Sequence, residues 1–190
     1  MGRRNALIEY YFRGEQALAA AGSGAGGPWV KADTSAAGAP TVGGLAGGGL
    51  RMLLASNTEV ENLCVYHGDV LSFDIDDIVS AEFAVKTVAT LDSATSIAFG
   101  LCSARNDDPD ALAAHASFRC IGSNAIVAET DDGTNDNDDV ATGLTLGATW
   151  KRFRIDFASR NTTIEPPSVS KGRKSNIEFY GANDNGSLRR

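Results

Sequence analysis

Between residues 69 and 157 apolar and polar side chains alternate with a period of two, in short runs broken by turn-forming residues. Successive side chains of a strand point to opposite faces, so this period calls for sheets with one dry and one wet face. In Trp150-Lys-Arg-Phe-Arg-Ile-Asp-Phe157, Phe153, Ile155 and Phe157 share a face with Lys151, and Trp150, Arg152, Arg154 and Asp156 take the other. Val79 to Lys86 alternates as cleanly. Ile97, Phe99 and Leu101 are backed only by Ala98, Gly100 and Cys102, which predicts a central strand covered on both sides. Phe118–Ile121 and Ala125–Glu129 fit a hairpin around Gly122-Ser-Asn124. Asn106 to Asp110 predicts a loop or a single helical turn, with Asp108 as N-cap and Pro109 in the first helical position. The fold class is all-β, an antiparallel β-sandwich.

The first 48 residues have another character. Ala21 to Gly27, Ala36 to Pro40 and Gly43 to Gly49 are rich in glycine and alanine, which build no core of their own. The expectation is an extended Gly/Ala-rich N-terminal arm over 1–48 and a sandwich domain over 49–190. Trp29 is the arm's large apolar anchor. Arg3, Arg4, Tyr10, Tyr11 and Phe12 are further candidates for touching a partner.

The chain of 190 residues suits one well-buried domain. A net charge of −7 and a pI near 4.8 argue against a general nucleic-acid surface. Basic residues gather at both ends, Arg3 and Arg4 and then Lys171, Arg173, Lys174, Arg189 and Arg190, which suits gripping an acidic neighbour or a solvated tail. Cys64, Cys102 and Cys120 lack metal-ligand spacing and sit in apolar segments, so buried reduced thiols are expected. No apolar run approaches a membrane span, and no secretory core follows Met1. Assembly in a reducing cytoplasm is the expectation.

The densest polar feature is Asp131-Asp-Gly-Thr-Asn-Asp-Asn-Asp-Asp139, five carboxylates in nine residues. Asp131, Asp132, Asp136, Asp138 and Asp139 are ligand types that suit a hard cation such as Ca²⁺, although the spacing departs from the EF-hand loop. The same residues suit a solvated hairpin tip. Asp107, Asp108 and Asp110 form a second acidic loop. His67 and His115 belong to no nucleophile elbow or metal-binding pair and read as surface or structural residues. Asp74-Ile-Asp76 is the nearest approach to a glycosidase carboxylate pair, without an aromatic cluster beside it. No enzymatic activity is expected. Trp29, Tyr66, Trp150 and Tyr180 are the aromatics available to a sugar ring.

Leu71-Ser-Phe-Asp-Ile-Asp76, Ala81-Glu-Phe-Ala-Val-Lys86, Thr95-Ser-Ile-Ala-Phe-Gly-Leu101, Glu129-Thr-Asp-Asp-Gly-Thr134 and Trp150 to Phe157 together resemble a group of tailed-bacteriophage virion structural proteins with a concanavalin-like (laminin-G-like) jelly roll. The resemblance spans roughly residues 50 to 185 and departs near Asn161 to Lys174, where Pro166-Pro167 and a basic run stand in place of a sheet turn and strand. It implies no catalytic residues. It implies a capsid decoration, or cement, protein on the virion surface, bound to the major capsid protein and to neighbouring copies in small closed rings such as trimers. A receptor- or glycan-binding appendage of head fibre or tail is the alternative it implies.

Overall fold

The computed structural model describes residues 18–20, 29–36, 40–45, 48–55, 59–68, 78–87, 90–157, 177–182 and 188–189. Arg3, Arg4, Tyr10, Tyr11, Phe12, Asp74, Asp76 and the 161–174 departure lie outside them, as does the Leu71–Asp76 run. The described chain is all-β with antiparallel sheets, apart from one short parallel pair and one 3₁₀ turn at Pro109–Ala111. It divides into two compact units, 1–70 and 71–190.

In the first unit β1 (Ala19–Ala20) pairs in parallel with β2 (Val30–Asp33). β2 pairs antiparallel with β5 (Leu63–Tyr66). β3 (Thr41–Gly44) and β4 (Leu50–Leu53) form a separate hairpin. The β3–β4 hairpin spans the 48/49 boundary expected from composition, and the two compact units divide at 70/71. Gly43↔Arg51 and Gly44↔Leu50 pair through backbone groups, without any apolar side chain on the glycine side.

The second unit holds two four-stranded sheets. One has the order β10-β9-β8-β7, from β7 (Ser96–Cys102), β8 (His115–Ile121), β9 (Ala125–Asp131) and β10 (Asp136–Thr145). The other has the order β13-β12-β11-β6, from β6 (Ser80–Val85), β11 (Lys151–Phe157), β12 (Ile177–Ala182) and β13 (Leu188–Arg189). Ala116, Phe118 and Cys120 of β8, Ile126 and Ala128 of β9, Leu146, and Phe153 and Ile155 of β11 make one buried cluster, as the alternation requires.

Its centre is aromatic. Phe99↔Phe118 is a cross-strand pair in one sheet, and Phe83↔Phe153 is its counterpart in the other. Phe153 lies 5.1 Å, centroid to centroid, from both Phe99 and Phe118. These tilted contacts are the offset geometry that aromatic quadrupoles favour.

The hairpin at 122–124 forms as expected, and Gly122 takes φ 58°, a conformation that costs glycine nothing. Asp108 caps the 3₁₀ turn by accepting from the Asp110 amide at 3.2 Å, with Pro109 first in the turn. Three expectations are corrected. Among the described strands β7 stands at the end of its sheet and not at its centre, and its small outward residues Ser96, Ala98 and Cys102 are exposed. Small residues on one face reported tolerance of close approach, not cover. Only Cys120 of the three thiols is buried; Cys64 is half-buried and Cys102 exposed. The acidic stretch 131–139 is a loop only over 132–135, since β10 begins at Asp136.

Gly100 illustrates the tightness of the β7–β8 pair. A Cβ there would meet the Ala116 carbonyl oxygen and lie 2.6 Å from Ser117 Cα. Both are backbone atoms, so the strands would have to separate. Gly100→Ala should destabilise the domain by roughly 1–3 kcal/mol, the usual cost of overpacking, measured by urea unfolding.

Candidate functional site

The face of β8 and β9 turned away from the apolar cluster carries charge, and it is buried. Alternation puts His115, Ser117 and Arg119 of β8 on that face, opposite Ala116, Phe118 and Cys120. Ser117 pairs with Glu129 of β9, so His115 and Arg119 lie diagonally on either side of the glutamate. The Glu129 side chain is 1% exposed, His115 3% and Arg119 6%.

Arg119 is the hub. Its Nη2 forms an ion pair with Glu129 Oε1 and reaches Asp139 Oδ1 at 3.2 Å. Its Nη1 donates to Asp110 Oδ1 at 2.9 Å. His115 Nε2 stands 3.6 Å from Glu129 Oε2, and His115 Nδ1 lies 3.1 Å from the Leu112 carbonyl oxygen. Asp110 comes from the 3₁₀ turn and Asp139 from β10, both more than half exposed. One guanidinium therefore ties an excursion before β8 and the end strand of the sheet to the buried Glu129.

A bulge aims Asp139 at this hub. The β10–β9 register runs Asn137↔Thr130 and resumes at Val140↔Ala128, so Asp138 and Asp139 together face Glu129. Two residues against one is a β-bulge, which re-aims side chains. Asp139 takes φ 49° to make it, and aspartate is among the few residues that tolerate this region.

Three carboxylates share one arginine, and that sets the electrostatics. Burial pushes the Glu129 carboxyl up to about 7; Arg119 pulls it down, and the nearby Asp139 and Asp110 push it up again. Loss of hydration on burial draws the Arg119 guanidinium down, but Asp139, Glu129 and Asp110 outweigh this and hold it above its ordinary value. Glu129 ionises near 4.5 when unfolded and near 7 when folded. The folded protein thus keeps a proton that the unfolded chain has lost, and stability falls as pH rises from about 4.5 to about 7, then levels. Solvent near the open Asp110 and Asp139 side weakens the effect to on the order of 2 kcal/mol. Glu129→Gln should flatten this slope between pH 5 and pH 8, read from thermal melts at each pH; an unchanged slope would place the proton elsewhere.

The five sequence-predicted metal ligands serve separate roles. Asp131 Oδ1 accepts from the Gly133 amide at 2.6 Å. Asp132 Oδ1 accepts from the Thr134 and Asn135 amides at 2.9 and 2.7 Å. Those hydrogen bonds, led by the Asn135 amide, lower the Asp132 carboxyl below its usual value. Asp139 is bound to Arg119. Asp136 and Asp138 are exposed, and Asp136 is raised by desolvation and then by Asp138 and Asp131. Among the described residues no three His, Cys, Asp or Glu side chains converge to hold a metal ion.

Of the partner-binding candidates only Trp29 is described. It is half-buried, with its ring edge-on to His67 at 4.3 Å. Burial also lowers the His67 pKa. Elsewhere Trp150 is 47% exposed with Lys86 Nζ 5.0 Å from its ring centroid. A shallow open groove of about 500 Å³ is lined by Thr90, Asn124, Thr145, Leu146, Gly147 and Ala148.

The buried hub escaped the sequence reading, which took His115 for an ordinary surface or structural residue. Its signal was present in the alternation of His115, Ser117 and Arg119 against Ala116, Phe118 and Cys120. What alternation does not report is that a polar face is covered. No family model, curated protein or solved structure matches this chain.

Proposed function

We propose that the chain is a non-enzymatic virion structural protein, a capsid decoration protein that binds the major capsid protein and stabilises a phage head. Its sandwich is then a concanavalin-like jelly roll, and the segment before it serves as a docking arm. The observation that carries this reading is where the resembling segments fall. Ala81 to Lys86 runs along β6, Thr95 to Leu101 along β7, Glu129 to Thr134 along β9 and its turn, and Trp150 to Phe157 along β11. They are strands of two sheets joined by one apolar cluster, the part of a scaffold that a family would hold in common. Arg119 ties the buried Glu129 to the more exposed Asp110 and Asp139, an arrangement suited to rigidity.

Attachment would rest on buried surface and repeated weak contacts over many capsid sites. Copy number tests the proposal: purified virions should carry hundreds of copies per particle, as judged by quantitative gel densitometry against the major capsid protein. Deleting residues 1–48 should abolish attachment to heads; unchanged occupancy would reject the arm.

A glycan- or receptor-binding appendage is the second reading, favoured by exposed Trp150 close in sequence to groove residues Leu146, Gly147 and Ala148. A handful of copies per particle together with glycan-array binding that Trp150→Ala removes would establish it instead.

A further inference from the structure

The excursion between β7 and β8, residues 103–114, is fastened to the buried Glu129 twice. One tie runs from Asp110 through Arg119 to Glu129 Oε1. The other runs from the Leu112 carbonyl through His115 to Glu129 Oε2. This second tie turns on where hydrogens can sit. A carbonyl oxygen only accepts, so His115 Nδ1, 3.1 Å from the Leu112 oxygen, carries the hydrogen and donates it. In the neutral ring Nε2 is then a bare lone pair. It stands 3.6 Å from Glu129 Oε2, and an ionised carboxylate is likewise acceptor only. Among the described residues neither atom has a hydrogen bond, and both side chains are buried. Two lone pairs facing one another away from water repel, and each has lost its hydration. A single proton between them turns the repulsion into a hydrogen bond.

The surrounding charges favour that proton. Among the described residues Arg119 of β8 is the one permanent cation on Glu129, and Asp110 of the turn and Asp139 of β10 already share it. Across the ladders His115 stands opposite Asp131 of β9 and Cys102 of β7. Asp136 of β10 interacts electrostatically with His115, and with Asp138 and Asp131. Five aspartates against one guanidinium leave the site short of positive charge. The upward shift of the Glu129 carboxyl has the same direction.

We infer that His115 and Glu129 share one proton between Nε2 and Oε2, and that this proton latches the 103–114 excursion to the sheet. When it leaves to solvent the ring is driven from Glu129, and turning the ring breaks the Nδ1–H donation to Leu112. The Asp110 tie stays, because an ionised Glu129 holds Arg119 the more strongly. The proton belongs to the closed arrangement, so the latch is shut at low pH and opens as pH rises through neutrality.

Amide hydrogen exchange of the full chain tests this, each rate being divided by its intrinsic value at that pH. The reporters are the Ser103 amide, bonded to the Ala114 carbonyl at 2.9 Å, and the Ala111 amide, bonded to the Asp108 carbonyl at 3.2 Å. The Leu146 amide, bonded to the Asn124 carbonyl at the 122–124 hairpin, is the control. Between pH 6 and pH 8 the reporters should lose roughly five- to tenfold of their protection while Leu146 keeps its own. Glu129→Gln supplies an amide that donates to Nε2 at every pH, so its reporters should stay protected at pH 8. Ring-nitrogen NMR of the wild type should find the hydrogen on His115 Nδ1 at both pH values. Equal protection of the wild-type reporters at pH 6 and pH 8 overturns the inference, as does a Glu129→Gln variant that loosens with pH as the wild type does. A ring whose Nδ1 bears no hydrogen overturns it too. Virion copy number reads the decoration proposal separately, since this latch does not depend on a capsid.

Discussion

Replacing Arg119 with alanine should destabilise the second unit by roughly 3–5 kcal/mol at pH 8, the scale for removing one partner of a buried ion pair. For a chain of this size that is a fall in melting temperature of roughly 6–20 °C. Arg119 has a Glu129 side chain 1% exposed as its ion-pair partner, and two aspartates bound to the same guanidinium. Without it Glu129 is left ionised at pH 8 among carboxylates, or must take up a proton. At pH 5 the outcome differs. Glu129 is raised to about 7 in the folded protein and already carries its proton, so the lost cation matters less. The loss on Arg119→Ala should therefore be clearly smaller at pH 5 than at pH 8. A double variant, Arg119→Met with Glu129→Gln, should recover most of the stability at pH 8, because an apolar side chain beside a neutral amide leaves no buried charge unpaired. Equal losses at both pH values would show that Arg119 acts through packing alone, as its long stem would permit.

The parts of this fold that were legible in the sequence are those governed by side-chain period. Phe153 and Ile155 on one face of β11, the hairpin at 122–124 and the Asp108-Pro109 turn follow from alternation, turn chemistry and capping. Three features were not legible, each for its own reason. The pairing of β3 with β4 runs through glycines, and backbone pairing leaves no trace in apolar pattern. The place of β7 at the end of the described strands depends on which strands come alongside, a long-range outcome that Ala98 and Gly100 do not encode. The buried hub depends on Asp110 from a distant turn and on the bulge at Asp138–Asp139, so Arg119 and Glu129 read as ordinary wet-face residues until their neighbours are in place. The acidic stretch, which composition made the most conspicuous feature, divides its carboxylates among turn hydrogen bonds, Arg119 and, for Asp136 and Asp138, solvent.

Phe153→Ala should be as costly, at roughly 3–5 kcal/mol, the range for removing a buried phenylalanine. Phe153 is 0% exposed and contacts aromatic rings of the opposing sheet, Phe99 and Phe118, each 5.1 Å away, while pairing across β11–β6 with Phe83. Relaxation into the cavity is limited because the surrounding rings belong to strands held by their own ladders: Phe99 and Phe118 are a registered pair, and β7 cannot shift without disturbing the close approach at Gly100. Phe153→Leu should cost less, since much of the volume is kept and only the ring contacts go. Unlike the loss at Arg119, this one should be the same at pH 5 and pH 8, because the ring neighbours of Phe153, Phe99 and Phe118, carry no charge. Measuring both variants at both pH values separates the two forces. A pH-independent loss at Phe153 beside a pH-dependent loss at Arg119 would assign apolar packing to the inner face of β8 and charge balance to the outer. If Phe153→Ala cost less than Gly100→Ala, the aromatic contacts would not be what joins the sheets, and strand pairing would have to carry the domain.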